Sequence, residues 1–249
     1  MKVWRRFIRD GKWVEDWVEV SGCLGRTLEM IDQRLEEMKG QGPDLFEQEE
    51  VRKAREQRDA GIKALRDSSG IPERFSTATL AGWKPEGPKE THVRDRMLVW
   101  VEMLGKLGCP SMSLQGSAGT GKTWIACGIL NDRHQAMLDG MYTTAKDYTG
   151  RIKESYRKDS PEPESVIRDR YASVGVLVID ELGRQFETEV ERLYLFDLMN
   201  ERYNRRKPTL LVTNMDIDGF RAFLGDAITD RLREGGGAIL ELNWASRRA

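Results

Sequence analysis

No stretch of this chain is apolar for long enough to cross a membrane. The opening residues, with Lys2, Arg5 and Arg6 and no apolar run behind them, do not read as a secretion signal. Cysteine is scarce. Cys23, Cys109 and Cys127 are widely spaced with no C-x-x-C among them, which argues against a zinc site and suits a reducing cytoplasm. An excess of one charge is also missing: 40 Lys and Arg face 41 Asp and Glu, a net charge of −1. There is thus no global basic bias toward nucleic acid, and only local patches could bind it. What remains is a chain of 249 residues, 39% hydrophobic and 33% charged, enough for one large domain, or one plus a small one, with a well-solvated helical surface.

Gly116-Ser117-Ala118-Gly119-Thr120-Gly121-Lys122-Thr123 reads G-x-x-x-x-G-K-T, the P-loop pattern. Its glycines let backbone N–H groups turn toward phosphates, Lys122 offers an ammonium to the β/γ-phosphates, and Thr123 offers a hydroxyl to Mg²⁺. The alternative is a chance glycine-rich turn. The flanks decide against it: Ser111–Gln115 is a short strand entering the loop, and a helix starting near Lys122 carries apolar residues at helical spacing through Leu138.

Residues 1–66 differ from the rest. The start holds Trp4, Trp13 and Trp17 around an Asp10-Gly11 pair that suits a hairpin turn. Leu24 to about Lys39 is helical and charged, and Leu45–Asp67 resumes as a charged helix with i,i+4 pairs at Glu49/Lys53 and Arg52/Glu56. Residues 68–90 are rich in Gly and Pro and form a junction, followed by a helix over His92–Leu107. Beyond the P-loop helix, strands are expected at Met141–Thr144, Val174–Ile179, Thr209–Thr213 and Ala238–Leu242. Helices are expected at Ala145–Arg157, Glu164–Tyr171, Thr188–Asn204, Ile217–Leu224 and Ala227–Arg233. Alternation of this kind implies an α/β fold, a parallel five-stranded sheet flanked by helices.

Ligands of such sheets bind at the carboxyl ends of strands. Asp180-Glu181 ends the most apolar strand, so Asp180 is a candidate Mg²⁺ ligand and Glu181 a candidate general base for the attacking water; a plain polar strand end is the alternative. Asn214 ends the next apolar strand and could bond the γ-phosphate or the water, although Asn is also common in turns. On residue type alone, Arg231, Arg233, Arg247 and Arg248 read as solvated charges.

V-L-V-I-D-E-L-G (176–183), L-L-V-T-N-M (210–215), I-T-D-R-L-R-E-G-G (228–236) and N-W-A-S-R-R (243–248), all after G-S-A-G-T-G-K-T, resemble the AAA+ helicase loaders of the DnaC type, a family that includes the transposition helper ATPase IstB. The resemblance covers about residues 68–248. It implies an AAA+ P-loop NTPase domain over 91–249, a lead-in over 67–90 with Ile71 and Phe75 near the adenine, and a small, mainly helical helicase-binding region over 1–66. The last shows no zinc ligands, which the family's region sometimes carries. The resemblance makes Arg231 an arginine finger acting on a neighbouring protomer's ATP, Asn214 sensor 1 and Arg248 the sensor-2 arginine. The insertion at 145–171 would meet single-stranded DNA, with Tyr156 stacking on a base, Lys153 and Arg157 on phosphates and Thr188 a weaker contact. The implied function is that of a cytoplasmic, Mg²⁺-dependent ATPase. It would self-associate into an open ring or spiral and load a DnaB-type replicative helicase onto single-stranded DNA. An IstB-like helper that binds duplex DNA and recruits a transposase is the alternative.

Overall fold

The computed structural model describes residues 2–9, 12–19, 45–104, 108–183 and 189–247. The chain divides into two compact units, residues 1–64 and 65–249. In the first, β1 (Lys2–Arg9) and β2 (Lys12–Glu19) pair antiparallel, with Trp4 opposite Trp17 and Arg9 opposite Lys12. The Asp10-Gly11 turn and the helix expected over 24–39 lie outside the described residues. Helix α1 (Leu45–Asp67) carries the expected ion pairs, Lys53 to Glu49 at 3.0 Å and Arg52 to Glu56 at 2.9 Å. All four side chains are solvated, so each pair contributes only a few tenths of a kcal/mol, about 0.3–0.5.

The second unit is built on a five-stranded sheet in the order β4-β5-β6-β3-β7, parallel at every pairing. Its strands are β3 (Met112–Gln115), β4 (Met141–Thr144), β5 (Leu177–Leu182), β6 (Thr209–Thr213) and β7 (Ala238–Glu241). Between them run α2 (Pro88–Met103), α3 (Lys122–Gln135), α4 (Ala145–Ser155), α5 (Glu164–Ser173), α6 (Glu189–Asn204), α7 (Ile217–Leu224) and α8 (Asp226–Arg233). Helix α2 starts earlier than its apolar spacing suggests because Pro88, which lacks an N–H, fits the first helical turn.

The strands feed two cores with the period of two that a pleated sheet imposes. Val176, Val178, Leu210 and Val212 face the core shared with α2 and α3, where Met97, Trp100, Ile125 and Leu130 are buried. Leu177, Ile179 and Leu211 face the core shared with α4 to α8, where Tyr148, Leu195, Phe220 and Leu232 lie. A sheet covered on both faces explains why these strands read as continuous apolar runs. The lead-in is tied to α3: Asn131 donates to the carbonyls of Phe75 and Ala78, both at 2.9 Å, and Phe75 meets Trp124 edge-on at 6.4 Å.

At the amino ends of the strands a fully buried Arg202 replaces hydrophobic packing. It donates to Thr209 Oγ1 at 2.9 Å and to the carbonyls of Tyr171 at 2.7 Å, Ala172 at 3.3 Å, Val174 at 3.0 Å and Pro208 at 2.6 Å. This fork ties the end of α5 to the start of β6. Burial pulls its pKa down to about 9.

Candidate nucleotide site

The P-loop leaves β3 at the carboxyl edge of the sheet and runs into α3, whose first residue is Lys122. Gly116 has φ +133°, and a Cβ there would stand 2.3 Å from the Leu242 carbonyl oxygen. Gly119 has φ +86° and would drive a Cβ to 2.0 Å from Ser246 Oγ. The pattern's glycines therefore answer to the close approach of the chain's own C-terminal segment as well as to backbone turning.

Lys122 is buried, and its ammonium donates to the Gly116 and Ser117 carbonyls, each at 2.7 Å, and to Thr120 Oγ1 at 3.4 Å. Thr123 Oγ1 donates to Asp180 Oδ2 at 2.8 Å. The two motifs, far apart in sequence, thus meet side chain to side chain. The same Oδ2 accepts from the Tyr142 hydroxyl at 3.0 Å, and Oδ1 accepts from the Glu181 N–H at 2.6 Å. Burial raises the pKa of Asp180 and these three donors oppose the rise. Burial and the adjacent carboxylate push the Tyr142 hydroxyl pKa far up, which keeps it a donor.

Strand β5 extends past the expected Ile179 to Leu182, so Asp180 and Glu181 lie inside it. Ile179 pairs with Leu211 and Leu182 with Thr213, which leaves one extra residue on β5 at this point. Glu181 sits there with φ +56°, a left-handed conformation costly for a non-glycine residue. The irregularity buries Asp180 against Thr123 and leaves Glu181 exposed. Thr213 Oγ1 donates to the Leu182 carbonyl at 2.7 Å, tying the ends of β5 and β6 together, and Asn214 follows, exposed, at the same edge.

Behind the loop, Trp244 Nε1 donates to the Thr120 carbonyl at 3.1 Å and the Arg247 N–H to the Gly119 carbonyl at 2.8 Å. The Trp244 ring lies 6.0 Å from that of Trp83. Arg247 is no solvated charge: its guanidinium bonds Glu90 and lies 4.9 Å from the Trp83 ring centre. Arg248 lies outside the described residues.

Arg231 is at the other edge. It shares a cleft of about 330 Å³ with Pro110, Ser111 and Lys207, residues that precede β3 and β6. Strand β3 spans four residues, so at about 3.3 Å per residue the two edges stand on the order of 13 Å apart.

Lys153 on α4 and Arg157, just past its end, line an open cleft of about 890 Å³ together with Lys146, Arg151 and Arg170. Lys153 Nζ pairs with Glu191 at 2.6 Å, and Arg157 with Glu154 at 3.8 Å. Tyr156 follows the last residue of α4, 59% exposed, with its hydroxyl 3.3 Å from that of Tyr194. Thr188 lies outside the described residues.

A family model described as IstB-like ATP binding protein matches residues 109–239, more than half of the chain. The chain belongs to this family. Its ATP-binding character agrees with the P-loop, and membership marks the chain as an AAA+ ATPase. The replicative helicase loader DnaC of Escherichia coli K12 is 26% identical over 238 residues, 92% of this chain and 96% of that one. A crystal structure of the DnaC helicase loader superposes with a TM-score of 0.60 at 21% identity, covering 68% of this chain and 99% of that one. The replication initiator DnaA bound to AMPPCP and single-stranded DNA superposes at 0.56 and 22% identity, covering 70% and 51%. These superpositions show a shared fold. For this IstB-like chain, sequence reasoning missed Tyr142, Trp83 and Glu90. A tyrosine within M-Y-T-T or a tryptophan in a Gly- and Pro-rich junction carries no local sign of a role at a P-loop.

Among the described residues no three His, Cys, Asp or Glu side chains gather to hold a metal, and no helix is long and apolar enough to cross a membrane. Mg²⁺ needs no such cage. A threonine hydroxyl and one carboxylate, completed by phosphate oxygens and water, are a donor set it accepts, and Thr123 with Asp180 fits it.

Proposed function

We propose that this chain is an ATP-dependent loader of a replicative hexameric helicase onto single-stranded DNA. The observation that carries the reading is the division of the catalytic groups between two edges of one sheet. Lys122, Thr123, Asp180 and Glu181 stand at the carboxyl edge, and Arg231 stands at the amino edge, out of reach of its own loop. A second copy would bring its Arg231 to this chain's nucleotide, as self-association into an open ring or spiral requires. The full-length similarity to DnaC supports the helicase partner.

The backbone of 116–121 and the Lys122 ammonium hold the triphosphate, whose oxygens replace the neutral carbonyls that Lys122 now meets. Thr123 and Asp180 would hold Mg²⁺, which supplies charge neutralisation at the phosphates. Glu181 accepts the proton of the attacking water and Asn214 orients that water. Arg231 of the neighbour stabilises the charge that develops on the transferred phosphoryl group. Arg248 completes the cis contacts. The basic cleft beside α4 tracks a DNA backbone while Tyr156 stacks on a base, with Thr188 a weaker DNA contact. Residues 1–66 form the helicase-binding region and 67–90 the lead-in to the ATPase domain, 91–249.

Capture on the immobilised full chain tests the partner: a hexameric replicative helicase should be retained, and retention of a transposase instead would favour the helper reading. Arg231→Ala should cut hydrolysis by the assembled protein on the order of 10³-fold. A variant as fast as the parent would refute the placement in trans.

A further inference from the structure

A guanidinium that must serve another molecule's phosphates needs something in its own chain to aim it. Three groups surround Arg231. Asn200 Oδ1 accepts from Arg231 Nη1. The Arg231 Cζ lies over the Tyr203 ring, 4.8 Å from its centroid, and the Tyr203 hydroxyl donates to Glu234 Oε2 at 2.5 Å. Asn200 and Tyr203 both belong to the last turns of the 16-residue helix α6, whereas Arg231 rides on the two-turn helix α8. All but Asn200 line the amino-edge cleft.

The chemistry of this set is selective. An aromatic face attracts a planar cation and fixes its plane without spending its N–H donors. Asn200 takes one of the five donors, and the others remain for an incoming anion. The carboxylate nearby bonds the tyrosine, and among the described residues none forms an ion pair with Arg231, so the charge is not neutralised in place. A surface arginine with only a structural task would more simply pair with Glu234.

Resting on the trans reading of Arg231, we propose that Tyr203 is a positioning residue whose ring, pinned by Glu234, holds the Arg231 guanidinium ready for ATP bound to a second copy of this chain.

The test is steady-state hydrolysis by the assembled protein, with each variant alone and in mixtures with Glu181→Gln protomers. These lack their own hydrolysis yet carry an intact Tyr203–Arg231 pair. Tyr203→Leu should lower kcat about two- to fivefold at unchanged KM, the loss expected of one solvent-exposed cation–aromatic contact. Glu234→Gln, a change at an exposed side chain, should lower it too, by no more than that, and serves if the leucine variant does not fold. Both should regain rate per intact active site in the mixtures, as Arg231→Ala should. A full kcat for Tyr203→Leu or Glu234→Gln, beside an Arg231→Ala that is impaired and rescued, overturns the positioning role alone. Loss without rescue for Tyr203→Leu overturns it too, since the residue then acts within its own protomer. An Arg231→Ala that is unimpaired, or not rescued, brings down the trans reading and this inference with it.

Discussion

Tyr142→Phe removes one atom from the site and leaves the ring in place. The Asp180 carboxylate is 5% exposed and has three donors, Thr123 and Tyr142 on one oxygen and the Glu181 N–H on the other. A hydrogen bond to a charged group contributes about 1.5–3 kcal/mol. The variant should therefore lose about 2 kcal/mol of unfolding free energy at pH 7, which for a unit of this size lowers Tm by about 4–8 °C. The functional consequence has the same origin. With one donor fewer, burial raises the Asp180 pKa further, and the Mg²⁺ concentration needed for half-maximal hydrolysis should rise about tenfold if roughly 1.4 kcal/mol of that loss falls on the metal-competent carboxylate. A double-mutant cycle with Asp180→Asn, read by chemical denaturation, isolates the pair and should return a coupling of about 1–2 kcal/mol. A coupling near zero, together with an unchanged Mg²⁺ requirement, would refute the argument that Tyr142 supports the carboxylate.

Two further predictions concern the frame. Arg202→Leu strands the carbonyls of Tyr171, Val174 and Pro208 in a buried place and should cost about 3–5 kcal/mol in denaturant unfolding; a loss below 1 kcal/mol would show that the fork is dispensable. His134 is fully buried, with Nε2 3.0 Å from the Gly140 carbonyl oxygen and Nδ1 unpartnered, and burial lowers its pKa from the ordinary 6.5. The unfolded chain takes up a proton that the folded one refuses, so stability should fall as pH drops below 6.5, by at most about 1.4 kcal/mol per pH unit, until the lowered folded pKa is reached. In His134→Gln that slope should vanish between pH 6.5 and 5.5, as followed by urea midpoints; an unchanged slope would contradict it.

The P-loop, the two acids after an apolar run, the five strands and their alternation with helices were all legible in the sequence. Each is set by local chemistry or by a short periodicity: glycine where φ is positive, a charged pair at a strand end, β-branched runs where both faces are covered. Tertiary structure alone decided how those pieces face one another. An extra residue on β5, invisible in V-L-V-I-D-E-L, turns Asp180 inward to Thr123 and Glu181 outward. Tyr142 reaches the same carboxylate from a neighbouring strand, and Trp244 and Arg247 reach the P-loop from the far end of the chain. Strand order is a property of long-range pairing, and no local pattern encodes it. The same order places Arg231 at the edge opposite the phosphate loop. The sequence determined that the chain carries a nucleotide-binding loop; the path of the sheet between Lys122 and Arg231 decided that the two stand at opposite edges.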